Sequence, residues 1–419
     1  MSKTMEYDER EWSLYLYLMK CAIRKQELEE EQLREYRDIT YAVMAEHAEK
    51  NGQVMLMSEV LAKYALWRDA TEAVKKVSVI QVMEEYGTYK CIRNVLEAAA
   101  QRNITLVVFK GCVLADLYPN YIQRQSCDTD FYVDKQHKQA AVDMLLDIGY
   151  VIDPTHGKNE VTVFRYRNHP HMIELHTCLW EDFRGRKMNI LQSFGLTDSD
   201  KLIELTVCGF KVTTLGYEEH LIYQLFHIIK HFSLEGVGVK YLADISLYVD
   251  AYGRYIDYTH FWKRMDQLGY TKFVHCLFAI CIEFLGMSND IMQDRKLEMG
   301  PELIDLLTDL VHSGKIYGAN RDSWQILGMM TPYFSGEKSS ARSNFTRKLS
   351  LIFLRPSDLQ DNYGFAKKHP ILLPVAWVKR ILDYLGKYHS NPVQTYNASQ
   401  KLNLAEHRID LLNKLDLLD

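Results

Sequence analysis

The chain has 419 residues, more than one hydrophobic core usually serves, so two or three structural units are expected. Hydrophobic residues make up 47% and charged residues 25%, with only 9 prolines and 21 glycines, which excludes a disordered or fibrous chain and favours helix. The formal net charge of -5 excludes the chain-wide basic field that gathers a long nucleic acid, although a local basic patch is still allowed.

The amino-terminal MSKTMEYDEREW is acidic where an export signal is basic and then apolar, so no such segment is expected. From Asp8 to about Ala100, apolar residues recur at three and four, as in Trp12, Leu16, Met19 and Ile23, which predicts a helical amino-terminal region over 1–100. At Ile104 the texture changes to the β-type run ITLVVF, closed by Lys110-Gly111 and followed by a helical segment to Tyr118-Pro119. Asp128 to Val133 reads as a second strand, and Lys135 to Ile148 as a helix stopped by Gly149. Val161 to Arg167 and His171 to Leu179 are further strand candidates, so a mixed sheet is expected within 101–215. Beyond Gly216 the pattern is helical through 216–419, apart from a polar loop near Ser335 to Ser343. The most apolar run, Phe273 to Met287, is shorter than the roughly 20 residues a membrane span needs and reads as a buried helix. The 8 cysteines are scattered with no CxxC spacing, which points to free thiols in a reducing cytoplasm.

In Asp128-Thr129-Asp130-Phe131-Tyr132-Val133, strand alternation puts Asp128 and Asp130 on one face and Phe131 and Val133 on the other. Two carboxylates side by side repel unless a cation lies between them, so the pair suggests Mg²⁺ or Mn²⁺; a turn with both aspartates in water is the alternative. In His171-Met172-Ile173-Glu174-Leu175-His176, Glu174 and His176 share a face, and Glu174 becomes a third ligand if this strand lies beside the first. Otherwise Glu174 faces solvent on an edge strand.

Phe109-Lys110-Gly111, Tyr118-Pro119, Arg124 and the Asp128-x-Asp130 strand, followed by a helix and Gly149-Tyr150, resemble the uncharacterised nucleotidyltransferase family within the DNA polymerase β-like superfamily. Ile173-Glu174-Leu175-His176 is similar to the strand that carries that family's third carboxylate, and the likeness runs on through His227, His231, Leu242-Ala243-Asp244-Ile245 and Pro370 to Arg380. It spans roughly residues 100 to 385. One departure is Lys110-Gly111-Cys112, which stands where the superfamily usually has a Gly-Ser or Gly-Gly pair, and at a longer distance from the carboxylates.

The resemblance implies an α+β fold, a small mixed-sheet core flanked by helical regions. It also implies transfer of a nucleoside monophosphate from a nucleoside triphosphate such as ATP to an unidentified acceptor hydroxyl, with release of pyrophosphate. Asp128 and Asp130 would bridge two divalent ions and Glu174 would complete one of the two sites. Gly111 would admit phosphate close to the backbone, and Lys110 would add charge unless it is a solvent-facing strand end. Arg124 would contact phosphate or shape the loop before Asp128 through a salt bridge. A non-catalytic nucleotide- or partner-binding module and a metal-dependent phosphoester hydrolase are the competing functions.

Three features lie beside this cluster. His227 and His231 have a spacing that could share a metal, but no HExxH surrounds them, and packing histidines are the expectation. Lys240 and Asp244 have the spacing of an ion pair within a helix, with a place near the acceptor pocket as the other role for Asp244. Lys367 to Arg380 mixes basic and apolar residues, either packed on the helical domain or lying on a membrane surface.

Overall fold

In the computed structural model, the described residues are 3–62, 71–126, 128–154, 160–166, 171–180, 185–234, 237–296, 300–313, 366, 369–379 and 410–417. The predicted loop from Ser335 to Ser343, and Lys367, Lys368 and Arg380 of the basic-apolar stretch, lie outside them. Internal contacts divide the chain into two units. One is Met1–Lys230 with Val237–Tyr317, and the other is His231–Gly236 with Gly318–Asp419.

The amino-terminal periodicity forms α1 (Lys3–Arg24), α2 (Glu30–Leu33), α3 (Tyr41–Lys50), α4 (Val54–Ala62) and the long α5 (Thr71–Gln101). The stripe read from sequence is the buried one: Trp12, Leu16, Met19 and Ile23 are all buried. Then come β1 (Val107–Phe109), α6 (Gly111–Ala115), β2 (Asp128–Tyr132), α7 (Lys138–Asp147), β3 (Tyr150–Ile152), β4 (Val161–Tyr166), β5 (Met172–His176), α8 (Gly185–Ser193), β6 (Ile203–Val207) and β7 (Phe210–Thr214). The helices α9 (Tyr217–Leu234), α10 (Lys240–Tyr252), α11 (Tyr258–Leu268), α12 (Thr271–Leu285) and α13 (Pro301–Ser313) follow. The apolar run read as a buried helix is α12, with Phe273, Val274, Leu277, Phe278, Ile280 and Cys281 buried and Gly286 capping it in the left-handed region.

The seven strands form one mixed sheet in the order β3-β4-β5-β2-β1-β7-β6, so β2 lies at its centre. It pairs with β5 in parallel, Asp130 opposite Glu174, and with β1 antiparallel, Phe109 opposite Asp130. Because opposed residues share a face, the register places Phe109, Asp130 and Glu174 on one side. The other side carries Val108, Phe131, Ile173 and Leu175, which form one core with Ile92 and Val95 of α5 and Met144 and Leu145 of α7. Burial of that face is what holds the register, since a slip of one residue would turn the carboxylates into the core.

Three strands go beyond the sequence reading. At three residues, β3 is too short to show a period. The β6–β7 hairpin closes through Cys208-Gly209, both at positive φ (49° and 79°), the backbone of a tight two-residue hairpin turn. Its signal was present as the alternation Ile203-Glu204-Leu205-Thr206-Val207, short of the glycine-asparagine chemistry that usually marks such a turn. Among the described residues, no helix is long and apolar enough to cross a membrane.

Candidate active site

Sheet centre, turn and helix face each supply part of one polar cluster. Asp130 is buried and Glu174 keeps a third of its side chain exposed, at 34%. His176 Nε2 lies 3.1 Å from Asp130 Oδ1 and 3.5 Å from Glu174 Oε2. Ligand atoms of Asp130, Glu174 and His176 all come within 4.8 Å of one another, close enough to hold one metal ion. Asp128, half-buried, stands two residues before Asp130 on the same strand face and outside that closest group.

Lys110 enters from the β1–α6 turn. Its backbone adopts φ 58° and ψ -126°, a region L-residues seldom occupy, and its amide donates to His220 Nε2 at 3.0 Å. The turn sends the side chain inward, where Nζ lies 2.9 Å from Asp130 Oδ2 and 3.3 Å from His227 Nδ1 of α9. The ammonium also lies 5.5 Å from the Tyr223 ring centroid and 5.9 Å from that of Phe109. Lys110 is therefore a cation held within the site, its side chain 13% exposed, rather than a solvent-facing strand end. Beside it, Gly111 has φ 25°, and a Cβ there would meet nothing within 4 Å, so the backbone at this turn borders open space.

Charge explains the titration of the cluster. Burial raises the Asp128 carboxyl and the Asp130 charge raises it further, against Lys110, so that it is pushed up to about 6. Burial acts the same way on Asp130, but the Lys110 ammonium and the His176 hydrogen bond outweigh it and hold the group well below the usual carboxylate range. Burial alone would lower Lys110; the Asp130 carboxylate more than reverses this and holds it above the ordinary lysine value. His220 is pushed down to about 3 by burial and by the positive charges of Lys110 and Arg124, so it is neutral and accepts the Lys110 amide proton.

Arg124, close by, pairs with a different carboxylate. Its Nε and Nη2 each donate to one oxygen of Asp244 at 2.8 Å, and Nη1 reaches the Gly111 carbonyl at 3.4 Å. Tyr118 donates its hydroxyl to Asp244 Oδ1 at 2.8 Å. With all three guanidinium nitrogens engaged and the side chain buried, the phosphate contact open to Arg124 from sequence is set aside in favour of the loop-shaping salt bridge. The expected Lys240–Asp244 pairing is corrected for the same reason: Asp244 is taken by Arg124, and the Lys240 ammonium donates to the Gln125 carbonyl instead. His227 reaches Lys110, whereas His231 belongs to the second unit.

His176 and the Lys110 neighbours His220 and Tyr223 carried no assigned role in the sequence reading. Only the position of His176 was visible, two residues after Glu174 on a strand.

A central mixed sheet with acidic residues projecting from adjacent strands is the arrangement expected of an α+β nucleotidyltransferase. The profile of the family described as uncharacterised nucleotidyltransferase matches residues 67–286, and the chain belongs to that family. The match takes in all of α5, ahead of the resemblance drawn from sequence, and ends before the Pro370 to Arg380 stretch. Among solved structures, the chain is similar to the lincosamide antibiotic adenylyltransferase LnuA, lincomycin-bound, at 19% identity, covering 38% of this chain and 94% of that one with a TM-score of 0.27. It is also similar to the antibiotic-resistance factor ANT(2'')-Ia, at 12% identity, covering 49% of this chain and 96% of that one with a TM-score of 0.31. No curated protein sequence matches it.

Proposed function

We propose that this nucleotidyltransferase moves a nucleoside monophosphate, with ATP as the working donor, to an acceptor hydroxyl, and that Asp128, Asp130 and Glu174 form its catalytic cluster. The register that sets Asp130 opposite Glu174 on parallel neighbours carries the reading, because an apolar back holds both carboxylates rigidly on one face. The donor set suits a hard divalent ion, Mg²⁺ or Mn²⁺: Asp128, Asp130 and Glu174 project from one sheet face, and with the Lys110 ammonium on Asp130 a cation would offset their remaining negative charge. When bound, such an ion neutralises the triphosphate and acidifies the acceptor hydroxyl.

The chain's own residues then divide the work. Lys110 and Gly111 form the nucleotide side, one by fixed charge and the other by letting the backbone approach phosphate. His176, hydrogen-bonded to Asp130, orients that carboxylate. Transfer makes one bond from the acceptor oxygen to the α-phosphorus and breaks the bond from that phosphorus to the leaving pyrophosphate, while the hydroxyl proton passes to solvent. Tyr223 and His227 of α9, beside Lys110, border the acceptor side, consistent with a catalytic module at 101–215 completed by the helices after Gly216. Seven described cysteines are free thiols, which supports a cytoplasmic setting.

Calorimetry with Mn²⁺ and ATP tests the cluster: the Asp128→Asn plus Asp130→Asn variant should fold and lose the binding, and unchanged affinity in the folded variant would remove these residues from the mechanism. Incubation with labelled triphosphate, Mg²⁺ and cell extract tests the reaction. Label on an acceptor supports transfer, whereas label released as free nucleoside monophosphate would favour the hydrolase.

A further inference from the structure

We infer that the Lys110 ammonium stands in for one of the two cations implied by the carboxylate pair, so that the site takes a single divalent ion. The inference rests on the metal-dependent reading above and narrows it. A bridge between two ions needs both oxygens of Asp130, yet one of them already faces a fixed cation, while the other lies on the side of Glu174 and His176, the group close enough to hold one ion. Oδ2 faces Lys110 Nζ at 2.9 Å and Oδ1 faces His176 Nε2 at 3.1 Å.

Lys110 is built to stay there. Its backbone is held in the sparsely occupied φ 58° conformation by the bond to His220, its Nζ contacts His227 Nδ1 at 3.3 Å, and the rings of Phe109 and Tyr223 flank the ammonium. A lysine serving only as a mobile phosphate contact needs none of these restraints. The side chain is 13% exposed, so an ammonium and a second dication on the same carboxylate would repel with little screening by water.

The test counts Mn²⁺ bound per chain by equilibrium dialysis with electron paramagnetic resonance detection, with a non-hydrolysable α,β-methylene analogue of ATP present. The wild-type chain should bind one ion, Lys110→Arg one, and Lys110→Met two, the neutral side chain freeing the second position. Two ions in the wild-type chain would overturn the inference and leave the metal-dependent reading standing. One ion in a folded Lys110→Met chain would also overturn it. No bound Mn²⁺ in the wild-type chain would remove both readings. The wild-type count decides the matter alone should Lys110→Met fail to fold.

Discussion

Two charge clusters, one around Arg124 in the loop before β2 and one around Asp130 on β2 itself, are built on opposite rules. Around Arg124, one guanidinium meets one carboxylate through two hydrogen bonds at 2.8 Å, Tyr118 satisfies the same carboxylate, and no charge is left over. Around Asp130, three carboxylates share one sheet face with the Lys110 ammonium on one of them, and Asp128 is pushed up to about 6. A matched pair locks the path of the chain, whereas an unmatched cluster stores a demand for a cation. The contrast separates scaffold from site among residues that a sequence reading treats alike, since all are charged.

The sharpest way to break that comparison is to remove one charge from each cluster. Glu174→Gln should slow transfer by at least about 10³-fold, about 4 kcal/mol in the barrier. Because Glu174 is partly exposed, stability should change by less than about 0.5 kcal/mol and triphosphate binding should persist. Comparable transfer rates at saturating Mg²⁺ would dissolve the three-carboxylate cluster. Arg124→Met should show the reverse profile, a stability loss of about 3–5 kcal/mol in urea unfolding, because Asp244 is left buried without its counter-charge. A loss below about 1 kcal/mol would place Arg124 outside the scaffold.

Glu85 of α5 gives a smaller effect and a finer test. Its Oε1 accepts from the Ser126 amide at 3.0 Å, yet burial pushes the carboxyl up to about 7, against that hydrogen bond and the charges of Lys240 and Arg124. A folded-state value above the ordinary 4.5 favours the neutral acid in the native state. Its stabilising contribution is therefore complete below pH 4.5 and is lost as pH rises to about 7, a difference of about 3 kcal/mol. Glu85→Gln should match the wild type near pH 4 and exceed it in urea unfolding at pH 8. Parallel stability curves for the two proteins across this range would show that Glu85 does not titrate with folding.

Much of this architecture could be read without coordinates. Period-two alternation put Asp128 and Asp130 on one strand face with Phe131 opposite, because side-chain direction in a strand depends on local geometry alone. The 3.6-residue stripe of α1, the stop at Gly149 and the buried helix over 273–287 are local in the same sense, as is the α+β class. The β6–β7 hairpin is also local; it escaped because Cys208 takes a backbone conformation in which glycine or asparagine is usual.

What the tertiary structure decided is who faces whom. Asp130 meets Glu174 across 44 positions only because β2 and β5 are neighbours in the sheet, Lys110 turns inward because His220 of α9 receives its amide, and Arg124 finds Asp244 120 residues away. Spacing along a chain fixes which side chains share a face, but the partner of a charge is chosen by desolvation. A buried carboxylate takes whichever cation the packed elements bring to it, and that choice exists only after the core has closed.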